Sequence, residues 1–296
     1  MPEPMSGVTG FDQYGDCVGP NGTASPYWKS VPGFKQDFSG DGCPDVLARH
    51  ASDTRLRYWK GNCDGGLGSY GTFGPGWDIY AAIFTPGDFT GNGCADVMAR
   101  ASGSLYYWQG DCAGGLGARI QCCGGGWANY NVLFGPGYFD ADQCVDIVGR
   151  HKDTGYLYYW PGSYNSEDER CEPGLGAARQ VDLSSWGSYS WFHGPGDFNK
   201  DGCADIGARS GGVLYYWRGS CNGGVAGRVT LGSSGWANYS FLMGPGDFKT
   251  DGCADVAARR DSNALLYYWP GNCVGIGAAQ NFGGTGWGAY DWLFAP

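Results

Sequence analysis

The sequence predicts an all-β fold: a β-propeller of four-stranded antiparallel blades, with five full repeats and an incomplete sixth blade closed by the two termini. Three observations carry this. A unit of about fifty residues recurs five times; each unit reads as four short strands between turns; and helix-forming material is scarce, with only four glutamates and four methionines in 296 residues that include 56 glycines.

The repeat opens on an aspartate-rich stretch, KQDFSGDGCPDVLAR (35–49). It returns as PGDFTGNGCADVMAR (86–100), PGYFDADQCVDIVGR (136–150), PGDFNKDGCADIGAR (195–209) and PGDFKTDGCADVAAR (245–259), starting 51, 50, 59 and 50 residues apart. A second signature follows each: RLRYWKGNC, SLYYWQGDC, YLYYWPGS, VLYYWRGSC and LLYYWPGNC. A glycine-rich turn and a short run such as GRVTL then lead to Trp-x-x-Tyr at 77–80, 127–130, 186–189, 236–239 and 287–290.

Within one unit the four strands are YSFLMGPGDF, CADVAAR, LLYYW and a weaker run near GAAQNF, rich in the aromatic and branched residues that suit a pleated surface. Open solenoids have shorter periods. The expected organisation is one domain over residues 1–296. It has a closing segment at 1–26, repeats beginning near 27, 80, 130, 189 and 239, and a closing strand at 290–296. The opening strand occurs six times if YWKSVPGF (27–34) and YDWLFAP (290–296) both count, whereas the other three occur in full five times. YGDCVG (14–19) matches the end of a third strand, QGDCAG (109–114). The sixth blade would take its inner strand from the C-terminus and its outer strands from 1–26. A five-bladed ring, or a spare strand docked into a second molecule, is the alternative.

Fourteen of the 25 aspartates lie in the five opening stretches. Counted from Asp197, side-chain oxygens fall at positions 1, 3, 5 and 9, on Asp197, Asn199, Asp201 and Asp205, with Gly202 at the bend. A hard cation wants six to eight oxygens, and alternate residues of a tight loop converge on one point. Calcium is therefore the expected cofactor, with a stiffening role. Without it, the stretch is a set of Asx turns. The same positions are Asp37, Ser39, Asp41 and Asp45 in the first copy, which with 197–205 is the best match. They are Asp88, Asn92 and Asp96 in the second and Asp247, Asp251 and Asp255 in the fifth, where Lys249 cannot ligate. The third offers Asp140, Asp142 and Asp146, with Tyr138 at position 1 and Gln143 replacing the glycine. Five calcium ions would balance the formal charge of −10.

The stretch GPGDFNKDGCAD resembles the FG-GAP or VCBS-type repeat of calcium-binding β-propellers. With Trp-x-x-Tyr before each PGDF strand, residues 27–296 are similar to bacterial exoprotein propellers and to fungal propeller lectins of the Psathyrella type. The resemblance implies the propeller fold and calcium, and for the lectins carbohydrate recognition. The cysteines depart from it.

Position 7 of each loop pairs with the cysteine ending the next signature: Cys43–Cys63, Cys94–Cys112, Cys144–Cys171, Cys203–Cys221 and Cys253–Cys273. In an antiparallel hairpin the start of one strand lies opposite the end of the next, within bridging distance. The longer third spacing follows from the insertion SYNSEDERCEPG. Cys17, Cys122 and Cys123 remain, and two arrangements are open: the adjacent pair bonded to each other, or one of them bonded to Cys17; either leaves an odd thiol. Thirteen cysteines in regular positions argue for an oxidising, extracellular location. MPEPMSGVTG lacks the basic start and apolar stretch of a secretion signal, so a signal already removed is expected. The sequons at Asn21 and Asn238 are compatible with a secreted glycoprotein.

The acidity argues against nucleic acid and anionic lipid, and no apolar run approaches a membrane span. No catalytic constellation emerges from the three scattered histidines, His50, His151 and His193, or from the glutamates of the insertion. The chain is read as non-catalytic, with glycans or glycoproteins as partners. Recurrent candidates for sugar contact are Trp59, Trp108, Trp160, Trp217 and Trp269, for stacking on a pyranose, and Arg49, Arg100, Arg150, Arg209 and Arg259, for forking onto hydroxyls. Both sets are open to a packing reading, as are the Trp-x-x-Tyr tryptophans. The runner-up function is a structural or adhesive protein that self-associates through its terminal strands or odd cysteine; an enzyme acting on polysaccharide is the third.

Overall fold

The computed structural model describes residues 10–11, 17–18, 37–140 and 142–295. It divides into two units: Met1–Phe34, in which Gly10–Phe11 pairs antiparallel with Cys17–Val18, and Lys35–Pro296. The second unit is a β-propeller of five blades, each a four-stranded antiparallel sheet, with no helix beyond single 3-10 turns among the described residues. No helix among them is long and apolar enough to cross a membrane.

The second, third, fourth and fifth blades begin with inner strands Ala82–Gly87, Tyr130–Gly137, Ser190–Gly196 and Tyr239–Gly246. The first blade takes its inner strand from the C-terminus: Tyr290–Phe294 pairs antiparallel with Val46–His50, which continues to Leu56–Gly61 and Leu67–Thr72. The strand expected to open a sixth blade thus closes the ring by completing the first. Thr85 Oγ1, on the second inner strand, donates to the Ala295 carbonyl at 2.6 Å across that closure. The expected strand at 27–34 and the pairing of Cys17 lie outside the described residues. The insertion of the third blade forms its own hairpin, Gly162–Asn165 with Arg170–Leu175.

Strand alternation sorts each blade's side chains. In the third strands Leu105, Leu157, Leu214 and Leu266 are fully buried, and the second tyrosine and the tryptophan after them are buried too. Phe38, Phe89, Phe139, Phe198 and Phe248, from the PGDF stretch, are at most 2% exposed and pack edge-on or tilted against those second tyrosines at 5.1–5.7 Å. Each blade therefore grips its own aspartate loop through one phenylalanine.

At the loop end, neighbouring blades meet main chain to main chain. Gly40, at φ +73, lies so close to the second blade that a Cβ there would fall 1.9 Å from the Cys112 carbonyl oxygen. Gly91 stands in the same relation to Cys171 of the third blade, and Thr250 Oγ1 donates to the Cys63 carbonyl of the first at 2.8 Å. All five expected disulfides form, Cys43–Cys63, Cys94–Cys112, Cys144–Cys171, Cys203–Cys221 and Cys253–Cys273, and Cys122 bonds Cys123. The bridges anchor the hairpins onto which the loops dock.

Candidate functional site

Two regions of each blade hold polar chemistry: the aspartate loop at one end and the Trp-x-x-Tyr edge at the other. In the first loop, Asp37 accepts the amides of Gly40, Asp41 and Gly42 at 2.6, 3.2 and 2.7 Å. Asp45, fully buried, accepts Ser39 N–H at 2.7 Å on one oxygen and Gly61 N–H at 2.9 Å on the other. The position-9 aspartates Asp96, Asp146, Asp205 and Asp255 are equally buried and bind the equivalent glycine amides of Gly110, Gly162, Gly219 and Gly271. Burial outweighs these amides. It raises Asp45 and Asp255 to about 6, Asp96 and Asp205 to about 7, and Asp146 to about 8.

Among the described residues, two loops bring three carboxylates within 4.8 Å of one another: Asp37, Asp41 and Asp45, and Asp140, Asp142 and Asp146. The first also places Ser39 Oγ, at position 3, in a buried setting with no hydrogen-bond partner. The ranking differs from that of the sequence. In the fourth copy, the fullest match by residue type, the Asn199 side-chain amide is turned onto Asp205, donating at 3.2 and 3.0 Å to its two oxygens. In the second, the Asn92 amide is spent on the Gly110 carbonyl at 2.8 Å. The third compensates for Tyr138 by supplying Asp140 from position 3. In the fifth, Lys249 contributes its backbone N–H to Asp255, and Asp247 binds the amides of Asp251 and Gly252.

At the other end, the two tryptophan sets pack against each other in every blade. Trp77–Trp108, Trp127–Trp160, Trp186–Trp217, Trp236–Trp269 and Trp287–Trp59 have centroids 4.4–4.6 Å apart, and the Trp-x-x-Tyr tyrosine meets the same ring edge-on at 4.8–5.2 Å. Trp108, Trp160, Trp217 and Trp269 are each 8% exposed, so the stacking expectation is corrected for these four: their faces are already covered. Trp59 is half-buried and stacks on exposed Tyr70 at 5.7 Å.

The repeated arginines do reach the cleft between blades, and what they meet there is main chain. Arg49 Nη1 donates to the carbonyls of Trp77 and Tyr80 of the next blade at 3.0 and 3.1 Å. Arg100, Arg150, Arg209 and Arg259 repeat this on Trp127 and Tyr130, Trp186 and Tyr189, Trp236 and Tyr239, and Trp287 and Tyr290. Their primary task is to staple one blade to the next.

What the sequence reading missed lies beside these staples. The first tyrosine of Tyr-Tyr-Trp shares a strand face with the buried tryptophan but ends half-exposed in the seam toward the preceding blade. In the second blade the Arg119 guanidinium lies 4.8 Å from the Tyr106 ring and donates to Tyr80 Oη at 3.2 Å. The fourth blade repeats this with Arg228, Tyr215 (4.5 Å) and Tyr189 Oη (2.7 Å). Both arginines are exposed. They stand opposite the third-strand tryptophan: Trp217 pairs with Arg228, and the second blade's register, extended one residue, sets Arg119 against Trp108. Tyr70 holds that position in the first blade, where Arg57 replaces the tyrosine; Ala178 and Ala279 hold it in the third and fifth. The signal in the sequence was GARI and GRVT, two copies of a fourth strand that no other blade shares.

Fold and site together define a disulfide-stapled, five-bladed β-propeller with an aspartate loop in each blade. Residues 37–99 match the family model of the FG-GAP-like repeat. Among solved structures the chain is similar to a lectin from Agrocybe aegerita, described as specifically recognising non-reducing terminal N-acetylglucosamine. That match has 13% identity and a TM-score of 0.42 over 78% of this chain, and it spans 52% of that one. It is also similar to the Dos1 propeller, at 9% identity and a TM-score of 0.37, over 84% of this chain and 71% of that one. A search of curated protein sequences returns no match.

Proposed function

We propose that this protein is an extracellular, calcium-stabilised propeller that binds carbohydrate in the seams between blades and does not alter it. The observation that carries the reading is the tyrosine–tyrosine–arginine cluster built twice, with matching geometry, at Tyr80, Tyr106 and Arg119 and at Tyr189, Tyr215 and Arg228. A hydroxyl-rich ligand finds there guanidinium donors and phenol hydroxyls, held on a rigid sheet beside a buried tryptophan pair. Two such sites on one chain would add their weak affinities when the target is multivalent. Six disulfides support an oxidising compartment.

Asp37, Ser39, Asp41 and Asp45 would hold calcium in the first blade, and Asp140, Asp142 and Asp146 in the third. Bound calcium supplies the positive charge these carboxylates lack; the loop amides already fix the carboxylates, and the unpartnered Ser39 Oγ gains a role as ligand. The test is a glycan array probed with and without calcium, using protein whose fold is verified by near-ultraviolet circular dichroism. Saturable binding to a defined sugar is expected, weakened in Tyr215→Ala and lost when Tyr106→Ala is combined with it. Silence from folded protein in both conditions would overturn the reading.

A further inference from the structure

The seam sites of the second and fourth blades are weighted toward hydrogen-bond donors, since a guanidinium donates only and the phenol hydroxyls beside it can donate as well as accept. Arg119 Nη1 is spent on Tyr80 Oη, which leaves the Nε–H and second amino group of this exposed guanidinium as further donors. Arg228 and Tyr189 repeat the arrangement. Each guanidinium also covers the face of its tyrosine, Tyr106 or Tyr215, so that ring is not free for a pyranose to stack on. A neutral sugar presents hydroxyls that both give and accept. A carboxylate or sulfate only accepts, and its paired oxygens fit the fork of an arginine.

Charge points the same way. The chain carries 29 acidic against 19 basic side chains, and the other arginines set over aromatic rings are spent on carboxylates or, as with Arg150, Arg209 and Arg259, on main-chain carbonyls. Arg57 of the first blade pairs with Asp53, Arg49 with Asp291, and Arg179 of the third blade lies 3.9 Å from Asp140. Among the described residues neither Arg119 nor Arg228 has a carboxylate within ion-pair distance. Two exposed guanidinia, placed alike, without a counter-ion, on an acidic protein, form a matched pair of anion sites.

We infer that the second and fourth blades each bind the carboxylate or sulfate of an acidic sugar. This rests on the carbohydrate reading above and narrows it to anionic glycans, at two sites per chain. The experiment is isothermal titration of the calcium-loaded full chain with a galacturonate oligosaccharide, its methyl ester, a sulfated galactose oligosaccharide, a neutral galactose oligosaccharide, and sodium sulfate. Binding of the galacturonate or the sulfated oligomer is expected at two sites per chain, at least ten-fold weaker for the ester or neutral counterpart and weakened by salt. Arg228→Gln should leave one site, and Arg119→Gln with Arg228→Gln none, each with an unchanged melting temperature. Equal affinity for acidic and neutral oligomers, or two sites persisting in the double variant, would overturn the inference while the carbohydrate reading stood. Sodium sulfate binding as tightly as the sulfated oligomer would overturn the sugar in it. No titration by any oligosaccharide, from folded protein, would sink both.

Discussion

The two ends of each blade follow opposite rules. At the Trp-x-x-Tyr end the same arginine reaches the same two carbonyls in all five blades, beside the same pair of tryptophans. At the loop end the docking of loops on the next hairpin recurs, but the side-chain oxygens do not. Position 3 is Ser39, Thr90, Asp140, Asn199 and Lys249 in turn, and the position-1 carboxylate gives way to Tyr138 in the third copy. Strict repetition marks what holds the ring together, whereas variation marks where chemistry can differ from blade to blade. The seams carry both: an invariant tryptophan pair and a neighbour that changes from arginine to tyrosine to alanine.

The largest effect should come from breaking the invariant end. Trp186→Ala removes a 1%-exposed ring that packs on Trp217, Tyr189 and Phe192, and the cost expected is about 3–5 kcal/mol. Arg209→Met keeps most of the packing volume but leaves the Trp236 and Tyr239 carbonyls without their charged donor, for about 2–3 kcal/mol. Both are read from denaturant midpoints. If Arg209→Met cost as little as a surface change, the staple would not be what joins the blades. Breaking one disulfide should rank beside it: Cys203→Ser with Cys221→Ser opens an 18-residue separation, worth about 3 kcal/mol in the chain-entropy model.

The loop end should respond to pH and calcium, where the stapled end should not. Burial raises Asp45, Asp96, Asp146, Asp205 and Asp255 to between about 6 and about 8. A carboxyl group whose folded value is raised binds its proton more tightly when folded. Its stabilising contribution is therefore complete below about pH 4 and lost as pH rises through 6 to 8. Without calcium, the melting temperature should fall from pH 5 to pH 8; with calcium the fall should vanish or reverse. His193 runs against this trend, since complete burial lowers it to about 4, and its contribution is lost as pH drops below 6.5. Phenylalanine stands at this place in three other inner strands, as Phe84, Phe134 and Phe294, so His193→Phe should remove the opposing slope and steepen the first. A calcium-free protein equally stable at pH 5 and pH 8 in that variant would mean the loop carboxylates are not strained by burial.

How much of this was legible beforehand depended on the range of the interactions involved. The repeat gave the blades, because four strands between turns are written locally. The five disulfides followed from hairpin geometry, which spacing alone determines. The roles of Trp108 and Arg100 were not local. The partner of that tryptophan, Trp77, sits 31 residues earlier, and that arginine binds carbonyls of the next blade, acceptors that every residue carries and no sequence advertises. The side-chain arrangement within the loops was not legible for a related reason. Asn199 has the right atoms for a ligand, yet its amide can be satisfied within the loop by Asp205, whereas Ser39 has no such local partner.

The smallest stability effect belongs to the sharpest test of the comparison. The third blade keeps the tryptophan pair, Trp127 and Trp160, and the two seam tyrosines, Tyr130 and Tyr158, with rings 6.1 Å apart. It lacks only the arginine, because alanine stands at 178. Ala178→Arg changes an exposed position on a fourth strand, so the melting temperature should move by a degree or two at most. If the seam is a site because of that one cation, the variant should bind three acidic oligosaccharides per chain in place of two. Should the stoichiometry stay at two, the difference between blades lies in more than residue 178. The neighbouring insertion hairpin, with Glu167, Asp168, Glu169 and Glu172 on it, would then be the part of the third blade that repels the anion.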